Sequence, residues 1–182
     1  MPCTQRFPVA RTLFWLAALF PALASAQSSV QQQLLMVREL IPSVKTITVV
    51  CNVAEMQPQL KEIKANAASM GLQLSIFDVR AFPEVYKLFR STAISSKTVD
   101  LIWMLPDSTV GNDKSSRRFV EENCIKKKIP LHVFSQEILH EGALMYMSVE
   151  NQQPAYYVNK AAATLMEFKV PPGMESKVTI VE

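Results

Sequence analysis

The chain has 182 residues, and its 19 Lys and Arg residues nearly balance its 16 Asp and Glu residues, so the formal net charge is +3. This balance excludes a strongly basic surface of the kind that binds nucleic acid, because such a surface needs an excess of cations along one face. Hydrophobic residues make up 49% of the chain, which is enough to build the core of one domain of this length. We therefore predict a single globular domain with no nucleic-acid partner.

The first 26 residues differ in composition from the rest of the chain. Arg6 and Arg11 precede the apolar run LFWLAALF, and the small residues Ala24-Ser25-Ala26 follow it. This order is typical of a secretory signal peptide, and the apolar run is shorter than the ~20 residues that a membrane-spanning helix needs. We predict that residues 1–26 are a signal peptide, that cleavage follows Ala26, and that the protein is periplasmic.

Short apolar runs then alternate with helix-forming segments. Residues 27–43 predict a leading helix that ends at Pro42, and residues 44–182 predict an α/β lobe. The strands predicted in this lobe are 44–50, 72–79, 99–105, 129–134, 143–149 and 177–181, and the helices are 54–70, 82–90, 113–128, 136–140 and 151–168.

Strands that are separated by helix-length segments pair in parallel, because a tight turn cannot connect parallel neighbours. The predicted fold is therefore a three-layer α/β/α sandwich. Its sheet is mostly parallel, has five or six strands and follows the flavodoxin-like order 2-1-3-4-5.

The turn after the third predicted strand, Pro106-Asp107-Ser108-Thr109, is the first candidate site. Ligands of open α/β sheets bind at the carboxyl ends of the strands, where polar side chains can orient a small polar molecule. Asp107, Ser108 or Thr109 could instead cap the next helix, which would need no ligand. The same two interpretations hold for the polar residues after the other strands, which are Asn52, Asp78, Arg80, Ser135-Gln136-Glu137 and Ser148-Glu150-Asn151.

The sequence offers little chemistry for an enzyme. The four glycines form no phosphate-binding cluster after a strand. His132 falls within a predicted strand and His140 at a predicted helix end, and neither has a Cys or an acid at the spacing of a zinc site. We predict no catalytic residue, no metal and no cofactor.

Cys51 and Cys124 are the cysteines that remain once residues 1–26 are removed. An oxidising compartment favours a disulfide. Cys51, however, ends the first predicted strand, whereas Cys124 lies near the end of a helix toward the opposite edge of the sheet. Bridged Cα atoms must lie within ~7 Å, so we predict two unbridged thiols.

Several segments resemble, in order and spacing, the carboxyl-terminal lobe of the ABC-transporter substrate-binding proteins of the tryptophan/tyrosine type, which have the type I periplasmic-binding fold. These segments are KTITVVCN, LKEIKANAASMGLQL, VDLIWMLPDSTV, KKKIPLHVFSQEILHEGAL and VTIVE. The resemblance covers roughly residues 44–182 and implies one lobe of a fold that closes two lobes over its ligand.

The resemblance also implies where a ligand would bind. In that family, ligand contacts follow the first and third of these strands and the Gly-Ala turn. Carried over to this sequence, these positions are Asn52, Asp107 with its neighbours Ser108 and Thr109, and Ser135 with Gln136. Cys51-Asn52-Val53 stands where the family has Tyr-Asn-Pro.

The function that the resemblance implies is non-enzymatic binding of a small solute, by a single lobe or in a cleft rebuilt by a homodimer. About 18 residues separate Ala26 from the first matching strand, too few for a second lobe. The alternative is a periplasmic interaction or sensor module that docks on a membrane transporter or sensor. Its docking surface would be the strand-end face or the leading helix, unless the apolar residues of that helix simply pack on their own domain.

Overall fold

A computed structural model describes residues 29–95 and 97–182. The predicted signal peptide, residues 1–26, lies outside this part of the chain. The helices are α1 (Val30–Leu40), α2 (Gln57–Ser69), α3 (Phe82–Arg90), α4 (Lys114–Lys127), α5 (Gln136–Glu141) and α6 (Lys160–Met166). The strands are β1 (Thr46–Cys51), β2 (Gln73–Asp78), β3 (Leu101–Trp103), β4 (Leu131–Val133), β5 (Met145–Glu150), β6 (Gln153–Asn159) and β7 (Val178–Val181).

The strands form one sheet in the order β2-β1-β3-β4-β5-β6-β7. Every neighbouring pair is parallel except β5 with β6. The predicted mixed α/β fold and its order 2-1-3-4-5 are therefore confirmed. β1 and β3 lie inside the sheet and are buried on both faces, which explains their unbroken apolar runs.

Helices cover both faces of the sheet. β1 leads through α2 toward one edge and β3 leads through α4 toward the other, so right-handed connections place these helices on opposite faces. α1 packs against α2, and α4 packs against both α3 and α6. The carboxyl ends of β1, β3 and β4 consequently lie side by side along one edge of the sheet.

The predicted helix at 151–168 is wrong over its first half. Residues Gln153–Asn159 form β6, which pairs with β5 through a turn at Asn151 and Gln152. Both turn residues have positive φ, 49° and 65°, as a type I′ hairpin requires. Tyr156 and Val158 are buried, so this segment has the two-residue period of a strand. The sheet therefore has seven strands rather than five or six.

The leading helix packs on its own domain. Ser29 and Gln32 form a capping box that fixes its first turn. The side chains that enter the core are Leu34, Met36, Val37 and Leu40, each at most 1% exposed, whereas Leu35 is 46% exposed. The apolar face that could have served for docking is therefore covered by the rest of the protein. Among the described residues, no helix combines the length and the apolar character needed to cross a membrane.

Cys51 and Cys124 are both buried and unbridged, as predicted. Burial, with Asp107 nearby, raises the pKa of the Cys51 thiol to about 12. Burial also raises the pKa of the Cys124 thiol above its ordinary value. Both side chains therefore stay protonated at neutral pH and pack as small apolar groups.

Candidate functional site

The loops after β1, β2 and β3 form a continuous polar edge, here called the strand-end rim. Its members are Asn52, Glu55, Asp78, Asp107, Ser108 and Thr109. Asn52 and Thr109 are half-buried, Glu55, Asp78 and Ser108 are exposed, and Asp107 is only 1% exposed.

Asp107 anchors the loop after β3 from inside. Its carboxylate accepts hydrogen bonds from the backbone N–H groups of Thr109 (2.9 Å), Val110 (3.0 Å) and Gly111 (3.4 Å). It also accepts one from the N–H of Asn52 at 3.2 Å, which ties the β1 loop to the β3 loop. The predicted capping of α4 by Asp107, Ser108 or Thr109 is wrong, because α4 begins at Lys114 and Asp113 caps it.

Gly111 is packed too closely for a side chain. A Cβ atom at this position would lie 2.0 Å from the carbonyl oxygen of Leu105 and 2.8 Å from Cε1 of Phe134. We expect Gly111→Ala to lower the free energy of unfolding by about 2–3 kcal/mol, because the backbone must shift to admit the methyl group. Urea denaturation measures the change.

Gly71→Ala is the matched control for this prediction. Gly71 has a φ of +69° but open space around it, so its substitution should cost only about 1 kcal/mol through the backbone. If Gly111→Ala lowers the free energy of unfolding no more than Gly71→Ala does, the loop accommodates the added methyl group and the prediction is wrong.

Glu55 completes the rim, and sequence reasoning missed it. Its carboxylate accepts hydrogen bonds from the Ser108 N–H (2.8 Å), the Ser108 hydroxyl (2.6 Å) and the Asn52 side-chain amide (2.7 Å). The bonds from Ser108 lower the pKa of Glu55 below its usual value, so the group is ionised at neutral pH. The only local sign of this role was the position of Glu55 three residues after Asn52. Its contact with Ser108 spans 53 positions, so no local pattern could predict it.

Asp78 joins the β2 loop to the same edge. Its carboxylate accepts a hydrogen bond from the Val53 N–H at 3.1 Å and pairs with Arg80 at 3.1 Å. The β1 loop is thus held by Asp107 on one side and by Asp78 on the other.

Ser135 and Gln136 lie one strand farther along the same edge, after β4. Ser135 caps α5 by accepting a hydrogen bond from the Ile138 N–H at 3.4 Å, as its predicted role as a helix cap requires. Gln136 is exposed at the start of that helix. Hydrogen bonds to Asp107 and Glu55 join Asn52, Ser108 and Thr109. Ser135 and Gln136 reach the same edge because β4 lies next to β3 in the sheet.

A groove of about 320 Å³ opens beside the rim, between α1, α2 and the ends of β3 and β4. It is here called the edge groove. Its apolar lining comprises Val30, Ile63, Trp103, Leu105, Pro106 and Phe134, and its polar lining comprises Ser29, Gln33, Gln59 and Glu62. The polar members come from helices far apart in the sequence, so strand-end reasoning could not find them.

The two histidines have structural surroundings. His132 is fully buried in β4, with Nε2 at 2.9 Å from the Gln33 side-chain oxygen and Nδ1 at 3.3 Å from the Met145 carbonyl oxygen. Burial lowers the pKa of His132 to about 4, so the ring is neutral at physiological pH. His140 is exposed at the last turn of α5. Over residues 29–95 and 97–182, no group of three His, Cys, Asp or Glu side chains could hold a metal ion.

This fold, with its polar edge, can be compared with known families. Residues 24–178 match the family model described as ABC transporter substrate binding protein. The chain belongs to this family. The match begins before α1 and ends in β7, so the leading helix is part of the family's domain rather than an addition to it.

Solved structures share the fold of this substrate-binding family member. One is a conserved domain protein from Vibrio cholerae, with 20% identity and a TM-score of 0.71 over 85% of this chain and 60% of that one. Another is an ABC domain from Streptococcus pneumonia in complex with L-Trp, with 21% identity and a TM-score of 0.68 over 84% of this chain and 62% of that one. A third is a ligand-free, open substrate-binding protein with adhesive properties from Clostridium difficile. It has 17% identity and a TM-score of 0.72, over 85% of this chain and 60% of that one.

The chain therefore spans about 60% of the length of these structures. None of the curated proteins compared with it matches significantly. The family's members are in general non-enzymatic, bind small-molecule solutes, interact with membrane transporters and are typically periplasmic or extracellular.

Proposed function

We propose that this protein is an exported, non-enzymatic solute-binding protein whose small polar solute binds at the strand-end rim. The observation that carries the proposal is the cross-linking of the β1 and β3 loops by Asp107 and Glu55. Residues 1–26 would direct export, and cleavage after Ala26 would release the protein into the periplasm.

The rim suits binding because its loops are already fixed. Asp107 holds the backbone of both loops, while Glu55 fixes the side chains of Asn52 and Ser108. A preorganised site spends less of its interaction energy on ordering loops when a ligand arrives. Asn52, Ser108 and Thr109 are the members proposed to contact the solute, with Ser135 and Gln136 extending the site along the edge.

The edge groove supports a solute with an apolar part. Its lining includes Trp103, Leu105 and Phe134, and Pro106 joins it directly to Asp107. Small-molecule sites are typically concave and mostly apolar, with a few polar groups that fix orientation. A solute could therefore lie with its apolar part in the groove and its polar end on the rim.

Binding by one lobe would be weak unless something covers the open side. Two-lobed binding proteins enclose a ligand by closing about a hinge. This chain spans about 60% of the length of the solved structures that share its fold. A second copy facing the rim could rebuild the cleft, which makes a solute-bearing homodimer the expected functional form.

Native mass spectrometry of the protein, purified gently from a periplasmic extract, tests the proposal. A dimer or monomer carrying a defined extra mass supports solute binding, and that mass begins to identify the solute. Bare protein that takes up no mass from a concentrated small-molecule extract would contradict it.

Asn52→Ala should raise the Kd of any solute so detected by about tenfold, the effect of losing one or two hydrogen bonds. Native mass spectrometry at a solute concentration below the wild-type Kd measures this as a lower occupancy. Asn66→Ala is the matched control, because the side-chain amide of Asn66 donates to the Glu62 carbonyl oxygen of its own helix at 2.9 Å and lies away from the rim. Equal solute occupancy in both variants would remove Asn52 from the site.

The second candidate function is a module that docks on a membrane transporter or sensor through the strand-end rim. The burial of the apolar face of α1 favours the rim over the leading helix as the docking surface. Capture of a defined transporter subunit by the wild-type protein, abolished by rim substitutions in the absence of any bound mass, would favour this candidate.

A further inference from the structure

A second pocket lies on the flank of the domain, between α4 and the end of α5. It has a volume of about 390 Å³ and is here called the flank pocket. Its lining residues are Lys114, Arg118, Glu121, Glu122, Ile125, Glu141 and Gly142. None of these residues belongs to the strand-end rim or to the edge groove.

Most charges around the flank pocket are paired with one another. Arg118 pairs with Glu122 at 3.0 Å, one helical turn away. Arg117, just behind the lining, pairs with Glu141 at 2.7 Å and binds its carboxylate through two nitrogens. Apart from these pairs, the charged side chains at the pocket are Lys114 and Glu121. Glu121 is the carboxyl group that remains to be explained.

Glu121 is buried, and one of its oxygens has no partner. The residue is 4% exposed, and its Oε1 atom makes no hydrogen bond within the described part of the protein. The other oxygen, Oε2, faces Gly142: a Cβ added there would still lie 4.0 Å from it, so there is open space on this side of the carboxyl group. A buried carboxylate oxygen without a donor is unfavourable, and a ligand that supplies donors to this carboxyl group would offset part of that penalty.

We propose that the flank pocket binds a small aliphatic ammonium ion, whose N–H groups donate to Glu121 and whose hydrocarbon part lies against Ile125 and Gly142. An ammonium group offers three donors and a positive charge, which match an acceptor-only carboxylate. The pocket lining carries three carboxylates, those of Glu121, Glu122 and Glu141, against the two cations Lys114 and Arg118, and Arg118 is already paired with Glu122. This balance favours a cation over an anion. A hard metal ion needs more oxygen ligands than the one unpaired carboxyl provides.

The ionisation of Glu121 gives this binding a distinct pH dependence. Burial and then the nearby Glu141 raise the pKa of Glu121 to about 7, against the opposing effects of Arg117 and Arg118. Glu122 is the remaining charged neighbour that raises it, and the Cys124 thiol one turn away is neutral. Affinity for an ammonium ion should therefore increase as the pH rises through about 7.

Amide NMR titration of the full-length protein with n-butylamine, at about pH 8, tests the proposal. We expect saturable shifts at Glu121, Ile125 and Gly142, and none with n-butanol, which lacks the charge. Glu121→Gln should weaken binding by about tenfold or more, since it removes a charge-assisted hydrogen bond. Glu137→Gln is the matched control and should bind within about twofold of the wild type, because Glu137 is exposed at the first turn of α5 and is not part of the flank pocket.

Three results would overturn the proposal. These are the absence of saturable shifts at millimolar n-butylamine, equal shifts with n-butanol, and equal affinity in wild type and Glu121→Gln. The amide spectrum of each variant reports its fold directly. The wild-type affinity at about pH 6 against about pH 8 provides a test without mutation, and equal affinities would also count against Glu121.

Discussion

Replacing Asp107 by Ala is expected to lower the free energy of unfolding by about 3–5 kcal/mol. The substitution would leave four backbone N–H groups without their acceptor, and those of Val110 and Gly111 are buried. Each buried donor without a partner costs about 1–3 kcal/mol. Urea denaturation followed by circular dichroism measures the loss.

Asp113→Ala provides the matched control, because Asp113 caps α4 through one bond to the Ser116 N–H at 2.7 Å. Loss of such a cap costs about 1 kcal/mol. If Asp107→Ala cost no more than this control, Asp107 would be an ordinary cap rather than the anchor of two loops. A binding assay on the Asp107 variant should accordingly be preceded by a measurement of its stability.

The second large effect is a pH dependence of stability that appears only when Glu121 is changed. Burial raises the pKa of Glu121 from 4.5 to about 7, so between these values the folded state holds a proton that the unfolded state releases. Stability from this group is therefore lost as the pH rises from about 4.5 to about 7, by about 3 kcal/mol in total.

His132 acts in the opposite direction. Burial lowers the pKa of His132 from 6.5 to about 4, so the unfolded state takes up a proton that the folded state excludes. Stability from this group is lost as the pH falls from about 6.5 to about 4, again by about 3 kcal/mol. Between about pH 4.5 and 6.5 the two slopes should nearly cancel in the wild-type protein.

Glu121→Gln removes the pH dependence that Glu121 contributes to stability and leaves that of His132. Its stability should therefore fall by about 1.4 kcal/mol per pH unit more steeply than that of the wild type as the pH is lowered from about 6.5 to about 4.5. Glu137→Gln should follow the wild type, because Glu137 is exposed at the first turn of α5 and lies outside the flank pocket. Urea titrations across this range measure the difference, and parallel curves for wild type and Glu121→Gln would contradict the raised pKa of Glu121.

The sequence predicted best what depends on neighbours along the chain. β1 and β3 were recognised from unbroken apolar runs, and α3 was predicted with its observed bounds because Pro83 marks its first turn and apolar residues recur along one face. The cap at Ser135 was predicted for the same reason, since a cap needs only its own helix.

The β5–β6 hairpin was missed because the spacing of its apolar residues is compatible with both the two-residue period of a strand and the 3.6-residue period of a helix. Tyr157 and Leu165 are compatible with one face of a long helix, yet Leu165 is 60% exposed in the folded protein. The stronger signals were Tyr156 and Val158 alternating as in a strand, and Asn159, which caps α6 through the Ala162 N–H at 2.9 Å. An Asn directly after a β-forming run could have moved the predicted start of that helix.

The rim was predicted in position but not in internal organisation. Asn52, Ser108 and Thr109 were placed at the correct edge, because parallel strands must end together there. The anchoring role of Asp107 depends on Asn52, 55 positions away, and the role of Glu55 depends on Ser108. The burial of Glu121 likewise depends on α5 lying beside α4, so no local pattern could indicate it.

The packing of α1 determines when the protein can fold. Gln33 contacts His132, and Glu39 accepts a hydrogen bond from Tyr156 and pairs with Lys177 at 3.6 Å. These partners of α1 lie 99 or more positions later in the sequence, so a nascent polypeptide on the ribosome lacks them until those segments have been synthesised. Such long sequence separation slows folding, because large loops must close before these contacts can form.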